Sequence, residues 1–79
     1  MNVLLYTTET CFFCTMAKKL LSNSNISYKE IHIDHNFILF EKIIKLTNQK
    51  TVPQIFINGI FIGGYTELNS LIEKQIKHN

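Results

Sequence analysis

Apolar residues recur at two different periods along the chain, and they predict seven secondary-structure elements. The short apolar run Val3–Tyr6 ends in a group of threonines, which indicates a buried strand that leads to a turn. Farther on, apolar residues recur every three or four positions and form one helical face, which the polar run 22–25 ends. The face comprises Phe13, Cys14, Ala17, Leu20 and Leu21, and we expect Lys18 and Lys19 to be turned outward.

The middle of the chain changes first to a period of two and then back to a helical spacing. In residues 26–34, Ile31 and Ile33 alternate with polar residues, which predicts a strand with one wetter face. The following segment, Phe37–Leu46, is rich in apolar residues over a length that favours a helix. Its polar end, Thr47–Lys50, closes that helix.

The last third of the chain predicts a hairpin followed by a helix. Val52–Ile57 and Ile60–Ile62 flank Asn58-Gly59, which is the strongest two-residue signal for a type I′ turn. Gly63-Gly64 leaves the hairpin, and Thr66 is a suitable N-cap for the final helix. The apolar face of that helix contains Leu68, Leu71, Ile72 and Ile76.

The predicted order is therefore β-α-β-α-β-β-α, which is typical of the α/β class. A right-handed crossover makes the first two strands parallel, and the hairpin adds an antiparallel pair. The sequence has 79 residues, of which 46% are hydrophobic and 18% charged, a balance that fits one globular domain over residues 1–79. A domain of this size buries only about 60% of its unfolded surface, so we expect its active site near the surface.

Charge and hydropathy exclude several classes of partner. The net charge of +2 comes from lysines scattered from Lys18 to Lys77, without arginine, and a nucleic-acid surface would need clustered cations. The first residues show no basic and apolar signal segment, and no apolar run approaches the roughly 20 residues that span a bilayer. We therefore expect a soluble cytoplasmic protein that binds neither nucleic acid nor membrane.

The motif Cys11–Cys14 carries the chemistry. A cysteine at a helix N-terminus faces unpaired backbone N–H groups and the positive end of the helix dipole, which both favour the thiolate. Cys14 lies about one turn farther on, in phase with Ala17 and Leu21 on the inward face. The sequence thus predicts Cys11 as the exposed nucleophile and Cys14 as the shielded resolving thiol, with Lys18 as the nearest cation.

Two other uses of the cysteines remain open. The pair could be half of a zinc site, but no second Cys-x-x-Cys follows, and His32, His35 and His78 lack a zinc-ligand spacing. Two buried, inert cysteines are the other alternative. In a reducing compartment a cysteine pair at a strand-to-helix junction is more often redox-active, so we expect a redox site and no metal.

Three motifs in order resemble the dithiol glutaredoxins over nearly the whole chain. Thr10–Cys14 is similar to the Cys-Pro-Tyr-Cys site of that family, Thr51–Pro53 to its Thr-Val-Pro loop, and Gly63-Gly64 to its glycine pair before the last helix. The resemblance implies a thioredoxin-like fold, in which a four-stranded mixed sheet is flanked by helices. It also implies a cis proline at Pro53, whose loop faces the cysteines.

The resemblance further implies a monomeric, glutathione-dependent thiol-disulfide oxidoreductase. Such an enzyme reduces protein disulfides and glutathione mixed disulfides through a redox-active Cys11/Cys14 pair, with glutathione as cosubstrate. The implied glutathione contacts are Phe13, Gln49, Thr51, Val52, Pro53, Gly64, Thr66 and Glu67, with Lys50 as an alternative to Gln49. Packing, capping or a solvated loop would explain several of these positions equally well.

Four sites depart from the family pattern: Phe12 replaces proline, Thr8 replaces lysine, Tyr65 replaces a third cysteine, and Thr66-Glu67 replaces a pair that ends in aspartate. Phe12 leaves open a second hypothesis, in which Cys11 of two subunits and two glutathiones bind an iron–sulfur cluster. A third hypothesis is a thioredoxin-like reductant. The segment Gly63–Glu67 argues against it, because a thioredoxin needs no site for a glutathione carboxylate.

Overall fold

The computed structural model describes residues 1–77 and contains the predicted elements in the predicted order. The strands and helices are β1 (Val3–Thr7), α1 (Phe12–Asn23), β2 (Lys29–His32), α2 (Phe37–Thr47), β3 (Gln54–Ile57), β4 (Ile60–Gly63) and α3 (Tyr65–Lys77). The strand predicted within residues 26–34 is shorter than its alternating pattern, and Ile33 is buried just beyond the end of β2.

The four strands form one mixed sheet in the order β2-β1-β3-β4. β1 runs parallel to β2, with Leu5 opposite Glu30, and antiparallel to β3, with Leu5 opposite Ile55. β3 and β4 form the antiparallel hairpin. The predicted thioredoxin-like architecture is therefore confirmed.

The hairpin turn has the geometry that its sequence demands. Asn58 and Gly59 both have positive φ, +52° and +80°, as a type I′ turn requires. The backbone N–H of Asn58 donates to the carbonyl of Asn2, and the N–H of Asn2 donates to the Asn58 side chain, at 2.8 and 2.9 Å. The turn therefore also fixes the chain just before β1.

The main core lies between the sheet and the pair α1 and α3. Its buried members come from alternate positions of β1, from β3 and from the inward faces of both helices; they are Val3, Leu5, Ala17, Leu21, Ile55, Leu68 and Ile72. This cluster fixes α1 against β1, so the residue that precedes α1 is held at the end of the sheet. α2 is more exposed and buries only Ile43 among its residues.

The structure differs from the sequence-based prediction at Thr66 and Lys18. Thr66 is not the N-cap, because α3 already begins at Tyr65, and the Leu68 N–H bonds to the carbonyl of Gly64. Lys18 does not turn freely outward, since its ammonium pairs with the Glu30 carboxylate at 3.0 Å. The side chain of Ile76 lies outside the described residues.

None of the helices within residues 1–77 combines the length and the apolar character that crossing a membrane requires.

Candidate active site

Cys11 occupies the N-cap of α1, immediately after the turn that follows β1. Its backbone is extended, with φ −145°, and its Sγ accepts a hydrogen bond from the backbone N–H of Cys14 at 3.1 Å. On its other side, the Cys11 thiol is 3.7 Å from the carbonyl oxygen of Val52. The sulfur therefore satisfies the open end of α1 and also faces the loop before β3.

Cys14 is the shielded member of the pair, as predicted. Its side chain is only 1% exposed, and burial together with the nearby Cys11 thiol raises the pKa of Cys14 to about 12. A backbone hydrogen bond from Thr8 and the positive charge of Lys18 act in the opposite direction. Both cysteines are free thiols, and Cys11 is the more exposed one.

Pro53 lies immediately before β3, and its peptide bond with Val52 is cis. The Val52 carbonyl that contacts Cys11 belongs to this bond, so the loop faces the cysteines, as the resemblance implied. No hydrogen bond within residues 1–77 uses the N–H of Val52. The edge of this loop next to Cys11 thus offers an available backbone donor.

Gln54, which the sequence analysis did not single out, holds that loop in place. Its fully buried amide donates to the carbonyls of Gln49 and Thr51, at 2.8 and 3.1 Å, and its Oε1 accepts from the Thr47 hydroxyl at 2.8 Å. A buried polar group needs such partners, and here they lie at the end of α2 and in the loop that leads to Pro53. A polar residue inside the apolar run Val52–Ile57 was the signal available in the sequence.

The start of α3 lies against the same loop. A Cβ at Gly64 would be 3.5 Å from the carbonyl oxygen of Pro53, so the two segments are in close approach. The Glu67 carboxylate reaches back and accepts the N–H of Gly64 at 2.8 Å. Glu67 therefore closes the start of α3, as the acidic member of a capping box does.

Three aromatic rings extend from Cys11 towards α3. Phe12 and Phe13 are 70% and 53% exposed, and their rings meet edge to face with centroids 5.3 Å apart. The ring of Phe13 lies 6.0 Å from that of Tyr65, at the first position of α3. About half of the Phe13 side chain therefore remains accessible.

The structure brings only some of the predicted glutathione contacts together. Cys11, Val52, Pro53 and Gly64 lie in one connected group. Among the described residues, no hydrogen bond links the side chains of Gln49, Thr51 or Thr66 to that group; Gln49 and Thr51 are exposed and contribute backbone carbonyls to Gln54. Thr66 and Glu67 border a shallow depression on α3 together with Ile62, Ser70, Leu71 and Lys74.

One other group of potential ligand atoms occurs away from the cysteines. The side chains of Glu9, Asp34 and His35 are exposed and place one ligand atom each within 4.8 Å of one another. The hydrogen bond from the Glu9 N–H to Asp34, at 3.1 Å, accounts for the approach of those two segments.

The cysteine site can perform thiol-disulfide exchange. An accessible sulfur at a helix end is stabilised as a thiolate by backbone N–H groups, and a second thiol one turn away can complete a disulfide. The buried thiol stays protonated until a partner approaches, so the two sulfurs differ in reactivity. This difference is the one that a nucleophile and a resolving thiol require.

Comparisons with known proteins agree with this geometry. The family model described as Glutaredoxin matches residues 3–62. The chain is 47% identical over 70 residues to Glutaredoxin 3 of Escherichia coli strain K12, which covers 89% of this chain and 84% of the relative. Its fold is similar to a buckwheat glutaredoxin solved as a glutathione complex, with a TM-score of 0.85, 25% identity, and coverage of 92% and 69% of the two chains. It is also similar to a dithiolic glutaredoxin of Trypanosoma brucei brucei, with a TM-score of 0.83, 33% identity, and coverage of 92% and 78%.

Proposed function

Because this chain belongs to the glutaredoxin family, whose members are thiol-disulfide oxidoreductases, we propose that it reduces glutathione mixed disulfides and protein disulfides with glutathione as reductant. Cys11 is the nucleophile and Cys14 the resolving thiol. Glutathione itself is the cosubstrate, and no resident metal takes part in this reaction.

The observation that carries the proposal is the environment of the Cys11 sulfur. Its hydrogen bond from the Cys14 N–H, at 3.1 Å, stabilises a negative charge better than a neutral thiol. The positive end of α1 acts in the same direction, since the first turn contains no acidic residue to offset it. A thiolate is the form that attacks a disulfide, so the group best placed to react is Cys11.

The first step is an exchange at sulfur. The Cys11 thiolate attacks one sulfur of the substrate disulfide, a bond forms between them, and the substrate's S–S bond breaks. The leaving thiolate takes up a proton from solvent. When the substrate carries glutathione, the product on the enzyme is a mixed disulfide between Cys11 and glutathione.

The mixed disulfide is resolved in one of two ways. A second glutathione thiolate attacks the bound glutathione sulfur, which releases oxidised glutathione and restores the Cys11 thiolate. For a protein substrate, Cys14 instead attacks the sulfur of Cys11 and forms the internal disulfide, which two glutathiones later reduce.

For the glutathione site we propose the surface between the loop before β3 and the start of α3. The available N–H of Val52 can pair with the backbone of the cysteinyl unit, next to Pro53 and Cys11. The exposed face of Phe13 can cover the tripeptide. The glutathione in the solved buckwheat relative supports this choice of ligand.

The two ends of glutathione need polar partners. Near the start of α3, the close approach at Gly64 and the side chains of Thr66 and Glu67 can meet the γ-glutamyl carboxylate and ammonium. On the other side, Gln49, Lys50 and Thr51 form the exposed loop that can meet the glycine carboxylate. Glu67 would then serve both the helix start and the ligand.

We further propose that residues 1–79 act as one monomeric domain in the cytoplasm. A dithiol pair that glutathione keeps reduced suits a reducing compartment. Its macromolecular partners are proteins that carry a disulfide or a glutathionylated cysteine.

The proposal is tested by turnover of a glutathionylated peptide with glutathione and glutathione reductase. Wild type and Cys14→Ser should both turn over, because a second glutathione can resolve the intermediate, whereas Cys11→Ser should be inactive. With a protein disulfide as substrate, Cys14→Ser should lose most of its activity as well. Activity of Cys11→Ser equal to that of wild type would overturn the proposal.

A further inference from the structure

A partly buried polar network, which connects to the helix that carries Cys14, has no part in the reaction described so far. Its centre is Glu30 on β2, whose Oε2 accepts the hydroxyl hydrogen of Thr7 at 2.7 Å. The same oxygen is 3.0 Å from the Lys18 ammonium and 3.7 Å from Nε2 of His32. The network thus joins β1, β2 and α1 at one carboxylate.

The network reaches Cys14 through α1. Lys18 follows Cys14 by four residues, and residues at this spacing lie next to each other on one face of a helix. Cys14 is buried, while the side chains of Lys18 and Glu30 are only 30% and 20% exposed. A charge held at this place acts on the Cys14 sulfur with less screening than it would at the surface.

Both members of the pair are charged at neutral pH. The hydrogen bond with Glu30 raises the pKa of Lys18. Burial opposes ionisation of Glu30, but its hydrogen bonds with Thr7 and Lys18 prevail and lower the pKa of its carboxyl. The titratable groups that face this pair are His32 on β2, Tyr28 just before it, and Cys14 itself.

We propose that Glu30, itself held by the Thr7 hydroxyl, positions the Lys18 ammonium so that its charge favours the thiolate of Cys14 during attack on the mixed disulfide at Cys11. The inference rests on the proposed function and concerns only the resolving step. Glu30 and Thr7 are positioning residues, because they act through Lys18.

The resolving step exchanges one disulfide bond for another. Cys14 gives up its proton and its sulfur attacks that of Cys11. The Cys11–Cys14 bond forms as the bond from Cys11 to the substrate thiol breaks, and the leaving thiolate takes up one proton. Cys14 is oxidised and the substrate half is reduced. A nearby cation assists because negative charge develops on a sulfur that is otherwise buried.

The expected size of the effect follows from two opposing trends. When the pKa of a thiol rises by one, the fraction present as thiolate at neutral pH falls about tenfold. The thiolate that remains is more nucleophilic by about threefold, so the net loss of rate is about three- to fourfold. If loss of the Lys18 charge raises the pKa of Cys14 by one, the resolving step should therefore become about three- to fourfold slower.

The experiment is a single turnover of the reduced protein with excess glutathionylated peptide, quenched in acid at successive times. Mass spectrometry then separates the Cys11 mixed disulfide from the internal disulfide. Lys18→Met keeps the length of the side chain and removes its charge. Lys19→Met is the matched control, since Lys19 is the next residue on α1 and is exposed.

We expect Lys18→Met to convert the mixed disulfide at least about threefold more slowly, with Lys19→Met equal to wild type. Lys18→Arg should recover most of the rate. Glu30→Gln alone should slow the conversion of the mixed disulfide. When it is combined with Lys18→Met, the rate should be the same as that of Lys18→Met alone. In a Cys14→Ser background, turnover by external glutathione should be the same with and without Lys18→Met.

Two results would overturn the inference and leave the proposed function intact: equal rates for Lys18→Met and Lys19→Met, or an equal loss from Lys18→Met when Cys14 is already serine. The second result would indicate a structural strut between α1 and β2. Failure of the wild type to form the Cys11 mixed disulfide at all would overturn the proposed function, and this inference with it.

Discussion

Each helix within residues 1–77 has a side chain that accepts a backbone N–H at its start, but the chemistry of that side chain differs. α2 is capped by Asn36, whose Oδ1 accepts the N–H of Leu39 at 3.0 Å. At the start of α3, the Glu67 carboxylate accepts the N–H of Gly64 at 2.8 Å. At α1 the sulfur of Cys11 occupies the N-cap position that Asn36 has at α2, and it accepts the N–H of Cys14 at 3.1 Å.

The difference shows how a structural requirement can be met by the reactive group itself. Oxygen caps such as those of α2 and α3 satisfy the free N–H groups and remain inert. A sulfur cap satisfies them too, and the same interaction favours its thiolate. The start of α1 therefore combines stability and nucleophilicity, which substitutions can separate.

The largest expected effect comes from Cys11→Ser. Serine is a good N-cap, so the free energy of unfolding of the reduced protein should stay within about 0.5 kcal/mol of wild type. Loss of the nucleophile should nevertheless lower turnover of a glutathionylated peptide by at least about 10³-fold. Denaturant unfolding and the coupled turnover assay measure the two quantities.

Cys11→Ala is the control for this separation. Alanine provides neither a nucleophile nor a helix cap. Cys11→Ala should therefore be as inactive as Cys11→Ser and less stable than Cys11→Ser by about 1 kcal/mol. Equal stability of the two variants would mean that the hydrogen bond at Cys11 Sγ contributes nothing to the start of α1.

Sequence patterns were sufficient for the fold and for the two cysteines because both depend on local signals. The order of elements, the parallel and antiparallel pairings and the type I′ turn at Asn58-Gly59 follow from periodicity and turn chemistry, and all are confirmed. The shielding of Cys14 follows from its phase with Ala17 and Leu21, which are both buried.

The errors concern individual side-chain hydrogen bonds and ion pairs, which the spacing of apolar residues does not encode. The helix start predicted at Thr66 was wrong because the carboxylate of Glu67 provides the cap and α3 begins at Tyr65. Lys18 was assigned to solvent because its partner, Glu30, belongs to another element. Gln54 was overlooked since its partners are mostly backbone carbonyls, which no residue pattern reveals.

Gly63→Ala, a substitution just before α3, should disrupt the hydrogen bond between Glu67 and Gly64 at the start of that helix. Gly63 has φ +130°, and an added Cβ would lie 2.7 Å from Cγ of Glu67. The side chain would have to leave its position, so the substitution should combine backbone strain with loss of the cap and destabilise by about 2–3 kcal/mol. Chemical denaturation checks this value.

Gly59→Ala is the matched control for that change. Gly59 also has positive φ, +80°, but nothing lies within 4 Å of an added Cβ. Only the backbone strain of an alanine with positive φ remains, and it should destabilise the protein by about 1–2 kcal/mol. A loss at Gly59 equal to or larger than that at Gly63 would argue against the role of Glu67 in this region.

The second thiol at the start of α1 should make stability depend on alkaline pH. Burial raises the pKa of Cys14 to about 12 from the ordinary value of 9.0. Above about pH 9 the unfolded chain therefore releases this proton while the folded protein keeps it, so stability falls as pH rises towards 12. The slope is at most about 1.4 kcal/mol per pH unit.

Other groups also titrate in this range, so the measurement is a difference between variants. Wild type should lose free energy of unfolding between pH 8.5 and pH 10. Cys14→Ala should lose less over the same range, and the difference between the two losses should be about 1–2 kcal/mol. Cys11→Ser should retain most of the decrease in stability that Cys14 causes, because burial is the largest cause of its raised pKa. The same slope in Cys14→Ala and wild type would contradict the raised pKa.

The smallest effects are expected from the two oxygen caps, Asn36→Ala and Glu67→Ala. Each substitution removes one hydrogen bond to a helix start, at 3.0 and 2.8 Å, and should destabilise the protein by about 1 kcal/mol. On stability alone the two positions should be nearly equivalent. Thermal and denaturant unfolding provide the measurement.

Catalysis is what distinguishes the two caps, because α3 begins beside Pro53 and α2 does not. Glu67→Ala should raise the KM for glutathione about three- to tenfold, the loss of one exposed polar contact to the ligand. Asn36→Ala should leave that KM unchanged. Glu67→Gln can still accept the N–H of Gly64 and should restore the stability, but without a negative charge it should leave the KM raised. Equal KM values in all three variants would restrict Glu67 to its capping role and place the ammonium of glutathione elsewhere.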